Sequence, residues 1–201
     1  MPKLGMEPIR REQICRAAAS VIARSGFAGT TMRGVAEEAG VSTGMLNHYF
    51  SNRQELLTQT LTFVSTRAQA LCREAVEGTP PGLQRLVSLL DCALDVEKMG
   101  ETWRVWIISY GEAAHLPELR SKIEGRLQSW YRLLDFALEG LVPAAEPDEI
   151  PWSWRLDAVL NGLALQAYTT EADLERSVIR DEVIRILLGR GSAVTGAPER
   201  G

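Results

Sequence analysis

The hydrophobic residues of this chain recur every three or four positions along most of its length, which is the spacing of amphipathic α-helices. No stretch of useful length alternates apolar and polar residues as a half-buried strand does. Glycine and proline punctuate the pattern, most clearly at Gly26, Gly100, Pro117 and the segment 142–151, which holds three prolines. The pattern predicts an all-α chain of about nine helices, at about 8–25, two within 31–50, and at about 52–77, 83–98, 102–115, 117–141, 151–170 and 173–189.

The segment 31–50, TMRGVAEEAGVSTGMLNHYF, predicts two short helices joined by a tight turn. Thr31 and Ser42 are expected to be N-caps, because each hydroxyl can accept a hydrogen bond from an amide in the next turn. Gly40 stands where the end of a helix favours a left-handed residue. Leu46 is placed to bury one face of the second helix, which leaves polar side chains on the other. Helix-turn-helix proteins present such a free face to the major groove of DNA, although a capped helical hairpin also occurs in ordinary cores.

The same segment resembles the N-terminal signature of the TetR family of transcriptional repressors, T-x-x-x-V-A-x-x-A-G-V-S-x-G-x-L-x-H-Y-F-x-x-R-x-x-L-L, without a gap over Thr31–Leu57. Residues 2–11 resemble the start of BetI-type members, the regulators of choline-to-glycine-betaine genes. The resemblance implies a three-helix DNA-binding head over 1–51 and a helical ligand-binding and dimerisation domain over 52–189. The composition of the remaining residues, 190–201, predicts a flexible tail. The implied function is that of a cytoplasmic repressor released from its operator by a small-molecule effector.

The resemblance places DNA contacts on the two motif helices. Arg33 is a candidate for a bidentate contact to guanine, Met45 can meet a thymine methyl, and Asn47 prefers adenine. The resemblance assigns base edges to Thr43, Gly44, Met45 and Asn47, and phosphates to Thr31, Ser42, His48, Tyr49 and Arg53. The family usually has tyrosine in place of Asn47 and lysine in place of Arg53, so the operator sequence of a relative does not transfer to this chain.

The resemblance also implies that the later helices enclose a pocket for the effector. The candidates for its lining are Trp103, Trp106, Ile107 and Tyr110 on one helix, Trp130 and Tyr131 on the next, and Tyr168 further on. Tryptophan faces would suit a quaternary ammonium through cation–π attraction, with Glu112 and Asp135 as nearby negative charge. A hydrophobic or aromatic effector fits the same residues, and an aromatic stripe at this spacing is also typical of a plain helical core.

The two helices over 151–189 are apolar on more than one face. Trp154, Ala158, Gly162 and Leu165 run along one face of the first helix, and Leu156, Val159, Leu163 and Ala167 run along another. A helix that is apolar on two sides is buried on two sides, either within its own chain or against a partner. The resemblance implies a partner: a homodimer in which each subunit contributes two helices to the interface, and whose two heads bind a palindromic operator.

Charge is unevenly divided along the 201 residues. The whole chain has a formal net charge of −4, but residues 1–60 hold seven Lys and Arg against five Asp and Glu, and the remainder holds 15 against 21. Attraction to phosphate is local, because salt screens it within about 10 Å. A basic head on an acidic body therefore suits DNA binding at one end of the molecule.

Several other classes of protein are disfavoured. Cys15, Cys72 and Cys92 lack CxxC spacing, which argues against a disulfide framework or a zinc site and fits a reducing cytoplasm. There is no GxGxxG, Walker or HExxH motif, so we expect no enzyme activity, no metal and no cofactor. No run approaches the roughly 20 apolar residues of a membrane helix. Two alternatives stay open: a helical ligand-binding module without specific DNA binding, and an activator.

Overall fold

The computed structural model describes residues 6–143, 145–146, 149–170 and 175–189, and in these residues the chain forms nine α-helices and no strand. The helices are Met6–Gly29 (α1), Met32–Glu38 (α2), Thr43–Tyr49 (α3), Arg53–Val76 (α4), Leu83–Ala93 (α5), Val96–Ala113 (α6), Pro117–Leu138 (α7), Trp152–Thr169 (α8) and Arg176–Leu188 (α9). The all-α prediction is confirmed. The predicted tail lies outside the described residues. Across the described part of the chain, no helix is both long and apolar enough to cross a membrane.

The break between α5 and α6 does not lie at Gly100, so that prediction was wrong. The chain leaves α5 at Leu94, whose amide donates to the carbonyl of Leu90 at 2.9 Å, and α6 begins at Val96. Gly100 is buried inside α6, next to Met99, which is also buried. A glycine within a helix costs only about 1 kcal/mol relative to alanine, and the burial of neighbouring apolar side chains outweighs that cost.

The chain divides into two compact units. One consists of the residues up to Leu71 together with Val96–Ser129, and the other of Cys72–Asp95 together with the residues from Trp130 onwards. Both α4 and α7 therefore contribute residues to each unit. The functional division that the sequence predicted after residue 51 stays a prediction.

The first unit has two apolar clusters that share α1. Ile14, Ala18 and Val21 of α1 pack with Val35 and Ala36 of α2, Leu46 of α3, and Phe50 and Leu56. Ala19 and Ile22 of the same helix pack with Leu57, Leu61 and Val64 of α4, Val105 of α6, and Leu119 and Ile123 of α7. Helix α1 is thus buried on two sides, which positions the short helices α2 and α3 on a rigid base.

The second unit has a leucine-rich core and one buried arginine. Leu86, Leu89 and Leu90 of α5, Leu134 and Leu138 of α7, Leu156 and Leu160 of α8, and Val183 of α9 are almost completely buried. The Nε of Arg85 donates to the carbonyl of Thr79 at 2.8 Å, and its Nη1 donates to the carbonyl of Phe136 at 2.9 Å. The Nη1 also donates to the exposed carboxylate of Glu139 at 2.8 Å. Arg85 therefore pairs with one backbone carbonyl in the connection between α4 and α5 and with another in the last turn of α7.

Candidate nucleic-acid interface

The turn between α2 and α3 is built by local hydrogen bonds that the sequence predicted. The hydroxyl of Thr31 accepts from the amide of Gly34 at 3.0 Å, and the hydroxyl of Ser42 accepts from the amide of Met45 at 3.1 Å. Gly40 takes the left-handed conformation, with φ 65°. Both predicted N-caps and the predicted turn glycine are confirmed. Because the two hydroxyls satisfy amides at the helix starts, both short helices begin at defined positions.

Helix α3 is anchored on one face and open on the other. Leu46 and the following Phe50 are fully buried in the cluster shared with α1 and α2. The opposite face carries side chains that are all exposed, namely Thr43, Met45, Asn47 and His48. Met45 is a large apolar side chain, yet it is 43% exposed. The structure therefore brings the predicted base-reading residues together on one free surface.

Gly44 lies on this open face and has no steric reason to be glycine within the chain. A Cβ atom built at this position would meet no atom closer than the hydroxyl of Ser42, at 3.9 Å. Glycine inside a helix costs about 1 kcal/mol relative to alanine, and the free space around Gly44 gives no steric reason for that cost. The absent side chain leaves room for another molecule to approach the α3 backbone closely.

Arg33 lies on the outer face of α2. Its side chain is 85% exposed, and its Nε donates to the carboxylate of Glu37 at 2.9 Å, one turn further along the same helix. An exposed pair of this kind is screened by solvent and exchanges readily for another partner. The geometry leaves Arg33 accessible to an incoming acceptor.

Three predicted phosphate-contacting residues lie in different surroundings. His48 is exposed and its ring meets the ring of Tyr49 edge-on, with centroids 5.2 Å apart, while Tyr49 is half-buried. Arg53 is half-buried, and its Nε donates to the carbonyl of Thr30 at 2.6 Å. A second nitrogen of Arg53, Nη2, donates to the carbonyl of Phe27. Much of the Arg53 side chain is therefore engaged within the protein, which no pattern in the sequence indicates.

Two further sets of contacts stabilise this region, and the sequence did not predict either of them. The guanidinium of Arg24 in α1 contacts the carboxylate of Glu38 in α2 at 2.6 Å, and this hydrogen bond lowers the pKa of Glu38. At the start of α4, the side chain of Asn52 accepts from the amide of Glu55 at 2.8 Å, while Glu55 accepts from the amide of Ser51 at 2.8 Å. The N-x-x-E spacing of a capping box could have revealed the second contact. The first joins residues 14 apart, and no local pattern indicates it.

The predicted effector-binding residues are distributed over both compact units. Trp103, Trp106, Ile107 and Tyr110 lie in α6 in the first unit, where the rings of Trp106 and Tyr110 are 5.5 Å apart and Trp106 packs on the core. Trp130, Tyr131 and Tyr168 lie in the second unit. Of the two predicted negative charges, Glu112 is half-buried and Asp135 is exposed. The assignment of these residues to a pocket stays a prediction.

The second unit contains a buried carboxylate that the sequence did not predict. Asp157 in α8 is 8% exposed and accepts from the indole nitrogen of Trp130 at 2.8 Å. Burial raises the pKa of Asp157 above its ordinary value of 3.8, while hydrogen bonds from Trp130 and Asn161 oppose that rise. Burial and the negative charge of Asp157 also raise the pKa of Tyr131, whose ring lies 5.4 Å from that of Trp154. Trp130 and Tyr131 thus both interact with the buried carboxylate of Asp157.

Helix α8 carries a second apolar face that its own chain leaves open. Leu156, Leu160 and Ala164 are buried, whereas Trp154 and Leu165 are 50% and 46% exposed. Ala158 and Gly162 lie in the same exposed set, and a Cβ atom at Gly162 would meet nothing within 4 Å. In α9, Val178 and Ile186 are also about half exposed. The face that the sequence predicted for a partner is therefore available in the single chain.

Two family matches cover most of the chain. Residues 14–60 match the family described as bacterial regulatory proteins, tetR family. Residues 82–189, more than half of the chain, match the family described as BetI-type transcriptional repressor, C-terminal. The first match contains the caps, the turn and the open face of α3, and the second contains α8 and α9.

Individual relatives agree with these matches. The HTH-type transcriptional regulator BetI of Paraburkholderia xenovorans is 36% identical over 124 residues, which is 60% of this chain and 63% of that protein. This chain thus covers slightly less than two thirds of the length of that relative. The HTH-type transcriptional regulator BetI 2 of Chromohalobacter salexigens is 29% identical over 90% of this chain and 87% of that protein.

Solved structures share the fold. A transcriptional regulator from Rhodococcus sp. Rha1 is 26% identical, covers 89% of this chain and 94% of its own, and superimposes with a TM-score of 0.74. A Saccharomonospora viridis protein solved in complex with choline is 21% identical, covers 90% of this chain and 96% of its own, and has a TM-score of 0.76. The fold described above is therefore one already observed in crystals.

Proposed function

We propose that this chain, which belongs to the BetI-type repressors of the TetR family of bacterial regulatory proteins, is a sequence-specific DNA-binding repressor. The observation that carries the proposal is the open face of α3, where polar side chains and Met45 are exposed around a glycine that the fold itself does not need. Recognition helices present such faces to the major groove. Operator binding in a bacterium would place the protein in the cytoplasm.

The exposure of each side chain on this surface supports an assignment of some residues to base edges and of others to phosphates. Thr43, Gly44, Met45 and Asn47 would face base edges from α3, and Arg33 would add a contact to guanine from α2. Thr31, Ser42, His48 and Tyr49 would contact phosphates, which hold the protein in register without reading sequence. Because the Thr31 and Ser42 hydroxyls already cap helices, their contact to phosphate would use the remaining capacity of each hydroxyl to donate.

Replacing Arg33 with alanine tests the proposal directly. A bidentate contact to guanine contributes about 1–3 kcal/mol, so affinity for specific DNA should fall by roughly 5- to 150-fold while affinity for scrambled DNA changes little. The measurement is a titration of labelled DNA from upstream of the gene for this protein, beside a scrambled duplex of equal length, over a range of salt. An equal loss on both duplexes would contradict the assignment of Arg33 to base reading.

Glu37→Ala is the matched control, because it removes the partner of Arg33 in the free protein and leaves the guanidinium in place. Specific affinity should stay unchanged or rise in this variant. The same titration separates the alternative functions. A ligand-binding module without specific DNA binding would bind both duplexes with equal affinity, and added salt would weaken both complexes. An activator would bind the upstream DNA specifically but raise transcription from the bound promoter.

A homodimer is the proposed assembly. The exposed face of α8 and the exposed apolar residues of α9 offer a surface that a second copy of the chain would cover. A twofold axis through such an interface makes the same residues meet on both sides and presents two α3 helices. The operator read by that dimer would be palindromic.

The effector proposed for this regulator is a quaternary ammonium compound. In the second unit, a buried carboxylate stands beside aromatic rings, since Asp157 bonds Trp130 and lies close to Tyr131. A negative charge and aromatic faces in a dry site attract a cation that needs no hydrogen bonds. The Saccharomonospora viridis protein of the same fold was solved in complex with choline. A hydrophobic or aromatic effector that contacts the residues of α6 is the alternative.

Choline chloride is the probe for this effector, and Asp157→Asn is the variant. The asparagine oxygen can still accept from Trp130 but carries no charge, so choline affinity should fall at least about tenfold. Glu139→Gln, which replaces an exposed carboxylate just after α7, should leave choline affinity unchanged. Tryptophan fluorescence reports binding, and release of the upstream DNA reports its consequence. Equal choline affinity in wild type and Asp157→Asn would rule out this carboxylate as the anchor.

Because the pKa of Asp157 is raised, choline affinity and folding stability should depend on pH in the wild type and not in the same way in Asp157→Asn. Choline affinity of the wild type should fall as the pH is lowered through that pKa, since protonation removes the charge. Folding stability should show the opposite trend: a carboxyl with a raised pKa stabilises the fold when protonated, and this contribution is lost as pH rises. Asp157→Asn should therefore gain stability relative to wild type on going from acidic to neutral pH, which verifies that the variant is folded.

A further inference from the structure

The first residue of α4 contacts the segment 26–30, which comprises the end of α1 after the kink at Gly26 and the residue that follows the helix, and which we call the α1–α2 connection. The Nε of Arg53 donates to the carbonyl of Thr30 at 2.6 Å, and its Nη2 donates to the carbonyl of Phe27. These two nitrogens form one edge of the guanidinium, the edge that donates two parallel hydrogen bonds. The residues it joins are 23 and 26 positions away along the chain.

The connection that Arg53 holds has little other support from regular structure. Gly26 interrupts α1 with φ 67° and ψ −179°, so the carbonyls that follow lie outside the continuous helical ladder. Thr30 is completely buried, and its hydroxyl donates to the carbonyl of Gly26 at 2.7 Å. The next residue, Thr31, caps α2. The position of the α2 cap is therefore set by a segment that Arg53 ties to α4.

We propose that Arg53 is a positioning residue that locks the start of α4 to the α1–α2 connection and so sets the orientation of the DNA-reading helices. The inference rests on the proposed function as a DNA-binding regulator. Helix α4 runs from Arg53 to Val76 and contributes residues to both compact units. Two hydrogen bonds at the first residue of α4 therefore join this helix to the segment that precedes the α2 cap.

The alternative role for Arg53 is the phosphate contact that the sequence predicted, and the two roles make different demands on the side chain. A phosphate contact requires a positive charge, which lysine supplies. A two-carbonyl contact requires the planar fork of arginine, which a lysine ammonium cannot reproduce with the same geometry. Arg53→Lys therefore keeps what a phosphate contact needs and removes what the positioning role needs.

The experiment compares Arg53→Lys and Arg53→Met with wild type, with Arg73→Lys as the control, an exposed arginine further along α4. Hydrogen exchange is followed at the amide of Thr30, which donates to Phe27, and at that of Gly34, which donates to Thr31. In Arg53→Lys we expect about tenfold faster exchange at both amides. Affinity for the upstream DNA should fall about tenfold, with the dependence on salt unchanged.

Three results would overturn the proposal. Wild-type exchange at Thr30 and Gly34 in Arg53→Lys would show that the fork does not hold the connection. Faster exchange with unchanged DNA affinity would show that the connection does not orient the reading helices. Wild-type affinity in Arg53→Lys, with a salt slope reduced by about one in Arg53→Met, would identify a phosphate contact. If wild type itself fails to bind specific DNA, the proposed function fails, while the exchange data still decide whether Arg53 holds the connection.

Discussion

Arg85→Met is expected to lower the free energy of unfolding by about 2–6 kcal/mol, because it removes two part-buried hydrogen bonds from a charged donor at about 1–3 kcal/mol each. The arginine is 5% exposed and donates to the carbonyls of Thr79 and Phe136, while its guanidinium lies 3.9 Å from the Phe136 ring centroid. Methionine keeps most of the apolar stem, so the loss reports the polar contacts rather than a cavity. Denaturant unfolding followed by helical circular dichroism measures it.

Glu139→Gln is the control that separates the carbonyl contacts from the ion pair. Glu139 is exposed and accepts one hydrogen bond from Arg85, which glutamine can also accept. Because an ion pair to an exposed carboxylate contributes little, this variant should unfold within about 0.5 kcal/mol of wild type. If Arg85→Met costs no more than Glu139→Gln, the buried arginine does not hold the α4–α5 connection to the last turn of α7.

Gly162→Leu is expected to disrupt the proposed dimer without disrupting the subunit. A Cβ atom at Gly162 meets no atom of its own chain within 4 Å, so the larger side chain has room in the monomer. In a twofold interface the substitution occurs twice, and overpacking costs about 1–3 kcal/mol at each site. The dimer dissociation constant should therefore rise at least about 30-fold. Sedimentation over a range of protein concentrations measures this change.

Gly125→Leu is the matched control for Gly162. Gly125 is an exposed glycine within α7, outside the proposed interface, and a Cβ atom there would likewise meet no atom within 4 Å. The two variants gain the same helix propensity, so a difference between them isolates the contact between subunits. A Gly162→Leu protein that sediments as a dimer of wild-type strength would exclude this face of α8 from the interface.

The sequence by itself determined the parts of this protein that depend on near neighbours. The caps at Thr31 and Ser42 and the left-handed turn at Gly40 each involve residues within four positions of one another. Helical periodicity likewise predicted the open face of α3 and the second apolar face of α8. Local hydrogen bonds and the 3.6-residue repeat act through backbone geometry that any chain shares, and a pattern in the sequence is therefore sufficient to reveal them.

Only the tertiary structure decided what the distant polar residues do. Arg53 and Arg85 are both arginines near helix starts, yet one ties α4 to the α1–α2 connection and the other is buried against carbonyls up to 51 residues away. In the sequence, Asp157 resembles any other polar residue of a helix. Only the fold brings it to Trp130, 27 positions earlier, which donates a hydrogen bond to it. Gly100 could have ended a helix, but it is buried inside α6 next to the buried Met99. Burial changes the free energy of a charged side chain by several kcal/mol, and which residues are buried together depends on how the helices pack.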